Sequence, residues 1–112
     1  MDIAIEKRER ATVVSIDGSV DGISAPQLVA AFREQIGGGS ARLVGNLASV
    51  DYTSSAGLRA LLETVKDARQ HGGDLRLAAV RPEVLRVLEL SGFTSILQVF
   101  PDVDAAVASF TA

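Results

Sequence analysis

Three hydroxyls in succession, Thr53, Ser54 and Ser55, stand directly before an apolar helical pattern in "VDYTSSAGLRALL". One hydroxyl is enough to cap a helix, because a single side-chain oxygen satisfies a free N–H of the first turn. The surplus poses a choice between a capped corner and a serine that takes part in chemistry. A helix start suits a phosphorylated serine, since free N–H groups and the positive dipole end face the added charge. Gly57, just inside the pattern, permits a close backbone approach or an unusual turn. The chemistry open to this stretch is reversible phosphorylation, and the bland alternative is that Ser54 or Ser55 caps the helix and does nothing more.

Other chemistry has less support. His71 is the single histidine and lies in "RQHGGD" at a predicted helix end, where the macrodipole favours a cation. With serines and aspartates scattered elsewhere it makes no triad, which is a matter of geometry. "IGGGSARL" has the glycines of a phosphate loop without its Gly-Lys-Ser/Thr ending, and it follows a helix instead of preceding one. It reads as a flexible loop. Asp17, Asp21 and Asp51 show no recognised metal-ligand spacing. The absence of cysteine excludes zinc–thiolate sites, redox motifs and thiol nucleophiles. No cofactor or metal is expected, and the chain is expected not to be an enzyme.

The elements that must position the hydroxyl run can be read from periodicity. Ile3 and Ile5 alternate with polar neighbours and "ATVVSI" is β-branched and apolar, which predicts two strands around the charged tip "EKRER". "SVDGISAPQL" is a loop leading into a helix, with Ser24 as N-cap and Pro26 near the first turn. Leu28, Val29, Phe32 and Ile36 recur at helical spacing until "GGGS" ends the run. "ARLVGNL" predicts a buried strand with Gly45 as its weak spot. Leu58, Leu61, Leu62, Val65 and Ala68 predict a helix over 58–70, beginning near Gly57, with one apolar face toward the sheet. "HGGD" closes it and "LRLAAV" is the next strand. Pro82 opens a helix carrying Val84, Leu85 and Leu88, which "SGF" ends. "SILQVF" predicts a last short strand, and Val103, Val107 and Phe110 a terminal helix. The order β-β-α-β-α-β-α-β-α predicts an α/β fold, a mixed β-sheet packed against about four α-helices, in one domain over 1–112.

Composition narrows the functional classes. At 47% hydrophobic, the 112 residues suffice for a core without disulfides or metal. "MDIAIEKRER" places charges where a signal peptide needs an apolar run, and no stretch approaches the roughly 20 apolar residues of a membrane span. A net charge of −3 and 4% aromatics lack the basic footprint and stacking rings of a nucleic-acid binder. A soluble, cytoplasmic protein with neither nucleic acid nor membrane as partner is expected.

Taken in order and spacing, these residues resemble a STAS domain, specifically a bacterial anti-sigma-factor antagonist, over nearly the whole chain. The family's Asp-Ser-Ser-Gly-Leu arrangement is read here as Ser54-Ser55-Ala56-Gly57-Leu58. Its Gly-x-x-Asp after the second strand is similar to Gly18-Ser19-Val20-Asp21, and its Asn or Asp in the central strand matches Asn46. "RQHGGDLRLAAVRPEVLRVLELSGF" resembles the family's Gly-Gly turn, strand, Pro-x-Val helix start and Leu-x-x-x-Gly helix end.

The resemblance implies that Ser55 is the phosphorylated residue. It also implies that Asp21, Asn46, Ser54, Ser55 and Gly57 belong to a partner-binding surface. Ser54 stands where the family has aspartate, which removes a carboxylate beside the phosphoacceptor. The implied mechanism is partner switching. The unphosphorylated form binds an anti-sigma factor that is also an ATP-dependent serine kinase, and so frees the sigma factor. Phosphorylation ends the capture, and a PP2C-type phosphatase reverses it. ATP belongs to the kinase, and the free antagonist is expected to be a monomer. The alternative is a non-switching STAS scaffold in a signalling, transporter or lipid-transport complex, with Ser55 merely a cap.

Overall fold

Alternation along the strands decides which side chains meet. The computed structural model of the chain describes residues 1–111. In β1 (Asp2–Lys7) and β2 (Thr12–Asp17) the antiparallel register sets Ile3 opposite Ile16 and Ile5 opposite Val14, so these four share one face. The tip closes as the Arg8 N–H donates to the Ala11 carbonyl over 2.9 Å. β3 (Arg42–Ser49), β4 (Asp74–Ala78) and β5 (Val99–Phe100) then join in parallel, in the spatial order β1-β2-β3-β4-β5.

The connections are α1 (Ala25–Gly37), α2 (Ser55–Gln70) and α3 (Pro82–Leu90). Parallel crossovers are right-handed, and here each one steps to the next strand in the same direction, so all three helices fall on one face. The core agrees. Val14, Ile16, Leu43, Leu47, Leu75 and Leu77 of the sheet pack with Leu28 and Phe32 of α1, Leu61 and Val65 of α2, and Leu88 of α3. Among the described residues the opposite face receives only α4 (Val103–Ser109), where Ala106 and the following Phe110 cover Val13, Val44 and Ala78. The α/β fold with a mixed sheet and four α-helices is the one expected.

Three boundaries, one cap and one burial differ from expectation. α2 begins at Ser55, earlier than its apolar pattern, because Ser54 has an extended backbone and caps it. Within α2, Leu58, Leu61 and Val65 are buried while Leu62 sits half-buried at the margin of the core. Ser24 precedes α1 but its side chain makes no cap bond, as Asp21 has taken that work. β4 stops at Ala78 because Ala79 is left-handed, with φ 55°. The run "SILQVF" is not one strand. Phe93–Ser95 form a 3-10 turn after left-handed Gly92, with the Ser95 hydroxyl donating to the Gly92 carbonyl over 2.7 Å. The strand itself is Val99–Phe100, with the Gln98 carbonyl accepting the Leu77 N–H of β4 over 2.9 Å.

Candidate functional site

The loops leaving β2 and β3 lie side by side at the carboxyl ends of adjacent parallel strands, the edge where open α/β sheets place their sites. They are stitched together by backbone. The Gly18 N–H donates to the Ser49 carbonyl (3.0 Å), the Val20 N–H to the Tyr52 carbonyl (2.9 Å), and the Ser54 N–H to the Val20 carbonyl (2.8 Å). Val20 and Thr53 thereby form a parallel bridge beyond the strands, and the Ser19 hydroxyl adds a bond of 3.1 Å to Asp51 Oδ1. The loop carrying Asp21 is thus fixed against the start of α2.

This pairing separates the three hydroxyls. Thr53 is buried at 8% exposure, and its Oγ1 donates to the Ser54 carbonyl over 3.3 Å. Ser54 is the N-cap, its Oγ accepting the Gly57 N–H over a long 3.4 Å while its carbonyl takes the Leu58 N–H at 3.0 Å. Ser55 is the first helical residue, exposed, and its hydroxyl has no hydrogen-bond partner among the described residues. With Gly57 and Leu58 served by Ser54, the amides of Ser55 and Ala56 are the donors left over at the helix start. Gly57 is buried beneath them. A Cβ there would lie 2.3 Å from Thr53 Oγ1 and 2.8 Å from Val20 Cγ1, so only glycine allows the helix to sit this close to the bridge.

One carboxylate oxygen of Asp21 is engaged by its own loop. Its Oδ1 accepts the N–H groups of Ile23 and Ser24, both at 2.9 Å, and lies 3.1 Å from the Ser24 hydroxyl. Ser24 Oγ in turn accepts the Asp21 N–H at 2.9 Å, and the Asp21 carbonyl takes the Ala25 N–H at 2.8 Å. The Ser24 amide and hydroxyl, then the Ile23 amide, hold the carboxyl below the usual carboxylate range.

Asn46 lies apart from this group. It follows Val44 by two residues and so points to the face of α4, away from α2. The β2–β3 register shifts between Ser15 and Asp17, a bulge in β3. Asn46 mends it, accepting the Ala48 N–H on Oδ1 (3.2 Å) and donating from Nδ2 to Ser15 Oγ (3.0 Å). Arg81, ahead of α3, donates from Nε to the Ala48 carbonyl over 2.8 Å and braces the same bulge. Arg81, Ile23 and Tyr52 escaped the sequence reading. The signal available for the last two was an apolar side chain set among loop formers.

The remaining sequence candidates meet at the other end of the strands. Arg8, Arg10, Gly39, Ser40, Arg42 and His71 line one cavity of about 280 Å³. Arg8 is held by Glu6 and Asp104, both at 2.8 Å, and His71 Nδ1 faces the Asp67 carbonyl at 2.8 Å. Glu9 stands in the same wall, and the negative ends of α1 and α2 point toward it. Those charges offset the guanidiniums, so the cavity has no surplus for an anion. Among the described residues no cluster of His, Cys, Asp or Glu is placed to hold a metal ion, and no helix is long and apolar enough to cross a membrane.

The chain is thus a mixed five-stranded sheet with three helices on one face, a capped helix start at its edge and a lone helix behind. Residues 2–106 match the STAS domain family, and the chain belongs to it. It is 38% identical over 110 residues to BtrV of Bordetella bronchiseptica, named as an anti-sigma factor antagonist, a match covering 98% of this chain and 95% of that one. A crystallised anti-sigma factor antagonist from Mycobacterium paratuberculosis is similar with a TM-score of 0.88 and 26% identity, over 97% of this chain and 92% of the other. The phosphorylated form of the Bacillus cell fate determinant SpoIIAA shares the fold at a TM-score of 0.75 and 17% identity, over 98% of this chain and 100% of that one.

Proposed function

We propose that this chain is a cytoplasmic anti-sigma-factor antagonist that works by partner switching, with Ser55 as the switch. One observation carries the reading: of three adjacent hydroxyls, Thr53 and Ser54 are committed to the fold and Ser55 alone is exposed and uncommitted. The name and 38% identity of the Bordetella relative support it. In this reading the chain is a binder and a substrate, and carries no catalytic group of its own.

An anti-sigma factor that is also a serine kinase transfers the γ-phosphoryl group of ATP to Ser55 Oγ. ADP leaves, and the hydroxyl proton passes to a base of the kinase. A PP2C-type phosphatase hydrolyses the ester, restoring the hydroxyl and releasing inorganic phosphate. The phosphate brings a charge of about −1.5 to −2 at neutral pH. The spare amides and dipole at the start of α2 compensate part of it, so the domain stays folded. The neutral Ser54 cap also adds no like charge where the family has a carboxylate. A partner surface shaped for a hydroxyl gains no such compensation, and an unpaired charge there costs several kcal/mol.

Titration of unmodified and phosphorylated chain against the purified anti-sigma kinase tests this. A loss of about 2.8 kcal/mol, roughly hundredfold in affinity, is expected with circular dichroism unchanged. Ser55→Ala should bind yet resist phosphorylation by intact mass, and Ser54→Ala should remain a substrate. Equal affinity of the two forms would sink the switch and leave a scaffold.

A further inference from the structure

Ile23 is 91% exposed, more than the other exposed large hydrophobics, Ile5, Tyr52, Leu90 and Ile96. A lone apolar side chain on a surface is ordinary. This one differs because the backbone beneath it is fixed on both sides. Its own N–H and that of Ser24 are held by Asp21 Oδ1, the Asp21 N–H is held by Ser24 Oγ, and the Ala25 N–H by the Asp21 carbonyl. Before it comes Gly22, with open space where a side chain would be. The turn therefore presents the isoleucine rigidly into solvent.

Its position matters as much. Gly22 and Ala56, the chain neighbours of Ile23 and Ser55, line a groove of about 710 Å³ between α1 and α2. Tyr52, 54% exposed, rises from the neighbouring loop, which is tied to this one through Val20. A protein surface that receives both apolar side chains would meet the two loops joined by the Val20–Thr53 bridge, the second of which leads into α2.

We propose that Ile23 is an apolar anchor inserted into a pocket of the anti-sigma factor, and that Asp21 is a positioning residue that holds it out without touching the partner. This rests on the partner-binding reading above. A pre-organised anchor loses little freedom on association, so the burial of its side chain is turned into affinity. The Asp21 Oδ1 accepts two backbone N–H groups of its own turn, with the Ser24 hydroxyl shared between it and the Ser19 carbonyl, and this use in the turn gives the residue a role that needs no charge contact across the interface.

Calorimetric titration of the full chain against the purified anti-sigma factor separates these roles. Ile23→Ala should weaken binding roughly ten- to hundredfold, the loss expected for one large apolar side chain. Asp21→Ala should weaken it similarly and speed amide exchange at Ile23. Asp21→Asn keeps the acceptor oxygen while losing the charge, and should bind nearly as the parent does. In the double variant, Asp21→Ala should add little to Ile23→Ala, because both remove one anchor. If the parent binds and Ile23→Ala binds equally well, the anchor is overturned while the partner reading stands. If the parent does not bind, both fall. Loss of binding in Asp21→Asn would make Asp21 a charged contact and overturn its positioning role. Self-association of the parent in ultracentrifugation that Ile23→Ala abolishes would assign the residue to a contact between copies instead.

Discussion

Gly57 and Asp21 shape the helix start from beneath and beside it, and each can be tested alone. A methyl group at position 57 must displace Thr53 Oγ1 and Val20 Cγ1, which sit on two backbones held together by the Val20–Thr53 bridge. Gly57→Ala should therefore cost about 1–3 kcal/mol, the range for overpacking a tight contact, read as a lowered melting midpoint. A variant that melts with the parent would show that the approach is not tight. Asp21 predicts an acid dependence. Donors from Ser24 and Ile23 favour the ionised form, so the folded pKa is depressed. The stabilisation of the turn is then complete above the ordinary aspartate pKa and is lost as pH falls through the depressed value. The amide shifts of Ile23 and Ser24 should titrate below the ordinary aspartate range. A midpoint within that range or above it would mean the turn does not prefer the carboxylate.

At the scale of elements, α2 connects the site to the core. Leu61, 4% exposed, lies on the face that packs against the sheet, with Leu58, Val65 and Ala68 along the same stripe. Leu61→Ala should cost about 2–5 kcal/mol in chemical denaturation, transfer and cavity terms together. Melting like the parent would refute its place in the core. The far end of the helix is set by a contact as close as that at Gly57. A Cβ on Gly73 would lie 1.9 Å from the Ala41 carbonyl oxygen, so the second glycine of "HGGD" lets the turn pass under the start of β3. The Gly73 N–H returns to the Ala68 carbonyl over 2.9 Å and closes the helix. Two glycine approaches, one at each end, fix where α2 lies on the sheet.

For the molecule as a whole, the two sides of the sheet are held differently. α1, α2 and α3 share a continuous apolar core, whereas α4 stands alone behind the sheet and leans on Arg76. That guanidinium donates to Ser109 Oγ (2.9 Å) and lies 4.0 Å from the centre of the Phe110 ring. It is aimed by buried Asp74, 3.1 Å away, which also takes Arg69 Nε at 3.0 Å. Arg76→Ala should cost about 1–2 kcal/mol from the lost ring contact and hydrogen bonds. Amide exchange should quicken in α4 with little change in α2, and partner binding should persist. Equal protection of α4 in variant and parent would show that its apolar contacts suffice.

What the sequence determined by itself was local. Periods of two and of about four residues told strand from helix, Pro26 and Pro82 marked helix starts, and glycines marked the ends. The hydroxyl run was legible as a helix start suited to phosphate, and the order of motifs as the family. Tertiary structure decided the rest, since the deciding contacts join residues far apart in sequence. Which hydroxyl is free depends on the Val20–Thr53 bridge, which buries Thr53 and leaves Ser54 to cap. Asn46 enters the partner surface only through the family resemblance; in the fold, strand alternation from Val44 sets it on the face away from α2, bonded to Ser15 beside the bulge. "SILQVF" has a strand's composition, but Leu97 is drawn into the core and the chain folds as a turn before it reaches β4. Local rules capture propensities and caps. Side-chain commitment follows from packing, which no window of one chain segment contains.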